Sequence, residues 1–132
     1  MLDMKIKDLI GYRLVQIDND KIIVKKDDKL YVLEIKEDYG GCCGYNDVET
    51  HLLIEENEIE KNPIITNIEY EDTEKEQYKY FDGNSVRITF YGNNKQLANI
   101  ESLSSSGSGW GYGACVTIEC KDLNIDEIIT EW

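Results

Sequence analysis

The chain has 132 residues, about one ordinary domain's worth, and its 14 Lys and Arg stand against 27 Asp and Glu for a formal net charge of −13. Apolar residues make up 41% of it, and no apolar run nears the roughly 18 residues of a membrane-crossing helix. The acidic balance argues against sequence-independent nucleic-acid binding, which needs cations clustered against phosphates.

In chain order, Ile6, Leu9 and Ile10 fall at helical spacing and Gly11 supplies a stop, which predicts one or two helical turns. Three β-branched and aromatic runs follow at 12–17, 21–26 and 30–36. They are interrupted by Asp18-Asn19-Asp20 and Asp27-Asp28, residues that tolerate the left-handed backbone of tight hairpins, so a three-strand meander is expected. Residues 46–62 read two ways. Asn46 and Glu49 have capping-box spacing, whereas Val48, Thr50, Leu52 and Ile54 alternate. The preferred reading is a strand from Val48 to Leu53, then a helical turn before Asn62-Pro63.

Farther on, Val86, Ile88 and Phe90 alternate with Arg87, Thr89 and Tyr91, and Gly92-Asn93-Asn94 turns the chain into another strand at 95–103. A strand over 114–120 places Cys115 and Cys120 on opposite faces, so they cannot pair within it. At the end Asn124 and Glu127 have capping-box spacing, and Ile125, Ile128, Ile129 and Trp132 recur at i, i+3, i+4, i+7, which predicts a short helix docked on the sheet. The expected fold is a single α+β domain over 1–132, mainly antiparallel sheet of six or seven strands with one or two short helices; a β-sandwich is the alternative arrangement.

Charge is unevenly spread. Residues 1–36 carry eight basic and seven acidic groups, whereas 54–82 carry ten acidic groups and three lysines. The second segment reads as an acidic excursion from the domain, mobile in part. Carboxylates at regular spacing can also imitate a phosphate backbone and engage a basic partner.

The opening MLDMKIKDLIGYRL lacks the apolar core of a secretory signal, so a cytoplasmic location with reduced thiols is expected for Cys42, Cys43, Cys115 and Cys120. Neither Cys-Cys nor Cys-x4-Cys has the two-residue gap usual for zinc, and His51, the single histidine, would complete a metal site only through the fold. No metal or other cofactor is expected. The stretch 38–51 gathers Cys42, Cys43, His51, Asp47 and Glu49, the inventory of a Cys–His nucleophile pair, but such pairs are spatial and the spacing alone does not make one. An enzyme is not the expectation.

The most unusual stretch is SLSSSGSGWGYG at 102–113, whose glycines alternate with Ser108, Trp110 and Tyr112. Extended, it leaves one face bare and presents a hydroxyl and two aromatics on the other. Ser104, Ser106, Ser108, Trp110 and Tyr112, with Cys42, Cys43 and His51, are the candidate ligand or partner surface. A sheet connection with both aromatics packed inward is the structural alternative. The stretch is neither a Walker loop nor a dinucleotide fingerprint.

The order of Leu9-Ile10-Gly11, two strands, the vicinal Cys42-Cys43, Pro63-Ile64-Ile65, Thr89-Phe90-Tyr91 and the late Gly107–Gly113 segment resembles a domain-of-unknown-function family of small bacteriophage and prophage proteins. The resemblance covers about residues 8–120. It implies an accessory protein acting on a host or phage protein, and it supplies no catalytic residues. The functional expectation is a non-enzymatic binding module, with a homodimer as one assembly it can form and with no membrane or direct nucleic-acid partner. Capture of a small molecule, a nucleotide among the candidates, on the Gly-rich ribbon is the alternative.

Overall fold

The computed structural model describes residues 4–38, 45–73, 83–105 and 114–131. Cys42, Cys43, Ser106, Ser108, Trp110 and Tyr112 lie outside them, as does the tail of the acidic segment from 74 to 82. Nine strands occur among the described residues: β1 (Arg13–Ile17), β2 (Lys21–Lys26), β3 (Lys29–Asp38), β4 (Tyr45–Leu52), β5 (Asn67–Asp72), β6 (Gly83–Gly92), β7 (Lys95–Ser105), β8 (Cys115–Cys120) and β9 (Ile125–Glu131). They form a five-stranded sheet in the order β1-β2-β3-β8-β9 and a four-stranded sheet in the order β4-β7-β6-β5. All neighbouring strands are antiparallel. The chain is therefore mostly antiparallel β, as expected, but with more strands than the six or seven read from the sequence. Helix among the described residues is confined to single turns: 3-10 turns at Ile6–Leu9 and Lys121–Leu123, and α1 (Glu56–Ile59).

The hairpins follow their turn residues. Lys26 pairs Lys29, and Asp27 and Asp28 between them both have positive φ. Gly92 pairs Lys95 around Asn93 and Asn94, also both positive. Each is the two-residue turn with paired left-handed residues whose twist matches its flanking strands. Gly92 has a further reason to be glycine: an added Cβ would meet the backbone carbonyl of Ile64 and the Leu97 side chain.

Both sheets contribute to one apolar cluster. Leu14, Ile22, Val24, Leu33, Val116, Ile118 and Ile125 come from the five-stranded sheet, and Ile68, Ile88, Phe90, Ala98 and Ile100 from the four-stranded one. Ile6 and Leu9 of the first 3-10 turn join it, both fully buried. Polar struts cross between the sheets. Ser102 and Ser104 hydroxyls lie 2.7 and 2.9 Å from Thr130 Oγ1 on β9. Glu127, also on β9, accepts a hydrogen bond from Tyr70 Oη on β5 (2.7 Å) and another from the Ile6 backbone N–H (2.9 Å).

One expectation needs correction. The helix predicted from Ile125 onward is β9, which pairs β8. Its register shifts between Val116 and Thr117, so that Val116 faces Thr130, Thr117 faces Ile128, and Ile129 is the extra residue. Such a bulge breaks the two-residue period, which is how Ile125, Ile129 and Thr130 are all buried in one strand. Within the acidic segment, residues 67–72 form β5, an edge strand with Ile68 turned into the core.

Candidate functional site

The site is best built from the outer face of the four-stranded sheet. Register places Glu49 of β4 opposite Glu101 of β7, Glu101 opposite Arg87 of β6, and Arg87 opposite Glu71 of β5. The adjoining row on the same face is His51, Asn99, Thr89 and Glu69. Side chains two apart on a strand share a face, so Glu49 and His51 stand together, as do Asn99 and Glu101. With Asp47 two residues before Glu49, the described residues of this face include five carboxylates (Asp47, Glu49, Glu69, Glu71 and Glu101) against one cation, Arg87.

The guanidinium of Arg87 lies between two of those carboxylates, with Nε 3.3 Å from Glu101 Oε1 and Nη1 3.4 Å from Glu71 Oε2. Tyr91 donates from its hydroxyl to Glu69 Oε2 at 3.0 Å. That hydrogen bond, aided by desolvation and by the charge of Glu69, holds the Tyr91 phenol above its ordinary pKa. His51 Nε2 is 3.6 Å from Glu49 Oε2. One atom each of Glu49, His51 and Glu101 falls within a 4.8 Å cluster.

The outer face of the five-stranded sheet is different. The register puts Arg13, Lys21, Lys25 and Lys36 on it with Glu34, Asp38, Glu119, Asp126 and Glu131, so cations and carboxylates nearly balance. Here too two glutamates oppose each other, Glu34 and Glu119, but Lys36 Nζ sits between them at 3.5 and 2.9 Å. The hydrogen bond to Glu119 is the main reason the Lys36 ammonium is held above its ordinary pKa. The face also carries a depression of about 400 Å³ whose lining includes Leu30 and Val32, the former 56% exposed.

Of the residues singled out from the sequence, two are described. Ser104 does not lie on a contact surface; it is fully buried, donates to Asn46 Oδ1 at 2.7 Å and lies between the sheets. Its even position on β7 turns it inward with Ile100 and Ser102, a consequence of the two-residue period. His51 is half-exposed on the outer face. Cys115 and Cys120 are free thiols, the first half-buried and the second buried, in agreement with opposite faces of β8.

Glu101, Asn99 and Arg87 were not expected at a site. Glu49 and His51 have a legible same-face spacing, but their cross-strand neighbours depend on register, which only the fold supplies. Comparison with protein-family models, curated proteins and solved structures finds no match to this chain. No helix among the described residues is long and apolar enough to cross a membrane.

Proposed function

We propose that this chain is a non-enzymatic binding protein of the phage or prophage accessory type, working in the host cytoplasm, and that it engages a basic surface of a host protein through the outer face of its four-stranded sheet. The observation that carries this reading is the segregation of charge between the two outer faces among the described residues: five carboxylates against one arginine on one, near balance on the other. A face of one sign attracts and orients a partner of the opposite sign and rejects nucleic acid, whose phosphates carry the same sign as the face. The edge strand β5 extends the surface, since Glu69 and Glu71 both point outward from it.

The test is affinity capture from a bacterial host lysate with the native chain and with the triple variant Asp47→Asn, Glu69→Gln, Glu71→Gln. The native chain should retain a basic protein that elutes as salt shortens the screening length from about 8 Å to about 3 Å. The variant should lose it while melting at nearly the same temperature, because exposed ion pairs contribute little to stability. Equal retention by both chains, or no retained basic protein, contradicts the reading.

A further inference from the structure

We propose that the outer face of the five-stranded sheet is a self-association surface, on which a second copy of this chain packs face to face about a two-fold axis running along the strands. The inference does not rest on the partner-binding role. It uses the other sheet and leaves the acidic face of the four-stranded sheet open in each copy.

The surface has an apolar centre. Leu30 and Val32 stand on β3, the central strand of the sheet, and are 56% and 46% exposed. Register puts the half-buried Ile23 of β2 directly opposite Val32 on the same face. Ile128, also exposed, faces Thr117 on the β9 side. The depression of about 400 Å³ beside Leu30 and Val32 gives side chains of a facing copy somewhere to seat. A single exposed apolar side chain is ordinary, but a contiguous group ringed by charges has the anatomy of a protein interface.

Charge selects the occupant. Away from the central strand, the described outward-facing charges of the strands separate by side: Arg13, Lys21 and Lys25 on β1 and β2, Glu119, Asp126 and Glu131 on β8 and β9. Lys25 has Asp28 of the adjoining turn at 3.9 Å, a pair with a fully exposed partner that contributes little. A face that is basic on one side and acidic on the other complements itself. With the two-fold axis along the strands, β1 and β2 of each copy lie over β8 and β9 of the other, and cations meet carboxylates. With the axis across the strands, like charges would meet. The acidic face of the four-stranded sheet offers no such match, because two copies of it repel.

The area is enough for a weak dimer. Five strands about 4.8 Å apart and about six residues long, at about 3.3 Å per residue, give a footprint of roughly 480 Å² per copy. The total of roughly 1,000 Å² stands at the lower limit for a specific interface, so the dimer is weak and concentration-dependent. Sheets packed face to face keep their strands within about 30° of each other, the geometry that a two-fold axis along the strands produces.

Sedimentation equilibrium of the reduced chain, from about 1 μM to about 1 mM, reads the assembly without disulfides between copies. The surface predicts a monomer–dimer equilibrium that stops at two copies. Val32→Asp, which sets a charge at the apolar centre, should weaken it by about tenfold or more. Leu30→Asp gives the same reading should Val32→Asp fail to fold. Leu53→Asp, exposed just beyond β4 and off this face, should leave dimerisation unchanged. Lys21→Glu should also weaken the dimer by about tenfold, and adding Asp126→Lys should recover most of that loss. A monomer up to about 1 mM, or assembly that continues beyond two copies, overturns the proposal. So does a dimer unchanged in the folded Val32→Asp or Leu30→Asp variant, or weakened equally in Leu53→Asp. No loss in Lys21→Glu, or a loss that Asp126→Lys leaves in place, overturns it as well.

Discussion

Glu127 joins three elements of the fold through one carboxylate, and removing it gives a quantitative test of how the sheets are joined. One oxygen accepts from Ile6 N–H at 2.9 Å and the other from Tyr70 Oη at 2.7 Å, so a single carboxylate joins the first 3-10 turn, β5 and β9. Hydrogen bonds to a charged group contribute roughly 1.5–3 kcal/mol each, and the partial exposure of this site favours the lower end, so Glu127→Ala should cost about 3 kcal/mol. For a chain of this size that corresponds to a fall in Tm of roughly 10 °C. Glu127→Gln retains one good acceptor and should cost about half as much, while Tyr70→Phe should cost about 1 kcal/mol. Urea unfolding of the three variants and of the Glu127→Ala, Tyr70→Phe double variant completes the cycle, with a coupling above about 0.5 kcal/mol expected for residues in contact. A cost below about 1 kcal/mol for Glu127→Ala, or full additivity, would refute the strut.

The same contact predicts an alkaline limit to stability. Burial first, then the hydrogen bond and charge of Glu127, push the Tyr70 phenol well above its ordinary pKa of 10.0. Above pH about 10 the unfolded chain releases this proton and the native chain keeps it, so stability falls as pH rises, by at most about 1.4 kcal/mol per pH unit and by less after solvent screening of a half-buried ring. Tyr70→Phe should flatten that decline relative to the native chain; parallel curves above pH 10 would contradict the assignment. Gly92→Ala should cost about 1–3 kcal/mol in urea unfolding, because the Ile64 carbonyl that a Cβ would meet is backbone and cannot rotate away; a cost under about 0.5 kcal/mol would refute the close approach. Ser104→Ala should cost about 1–3 kcal/mol by leaving Asn46 Oδ1 without this donor, and should leave partner capture unchanged; the opposite pattern, normal stability with lost capture, would return Ser104 to the binding surface.

Much of the fold was legible because local signals agreed with it. Asp27-Asp28 and Asn93-Asn94 fixed two hairpins through their backbone preference, the β-branched run at 21–26 read as a strand, and the alternation in 85–91 was that of a half-buried strand. The C-terminal strand was misread for a specific reason: Ile125 and Ile129 are buried in β9 and Ile128 is 53% exposed on its outer face, yet the three together fall at i, i+3, i+4, the spacing of a helix face. β5 was obscured by composition, since Asn67–Asp72 alternates cleanly but three of its six residues are acidic and the segment read as solvated. The outer-face site was legible only in half. Glu49 and His51 are two apart and necessarily share a face, whereas Glu101 meets them through the β4–β7 register, which no local pattern encodes.

The account turns on which face meets the partner, and zero-length carbodiimide coupling of carboxylates to the captured protein's lysines, mapped by mass spectrometry, reads that directly. Cross-links from Asp47, Glu49, Glu69 and Glu71 are the predicted result. Cross-links drawn instead from Glu34, Glu119 and Asp126, on the outer face of the five-stranded sheet, would contradict it.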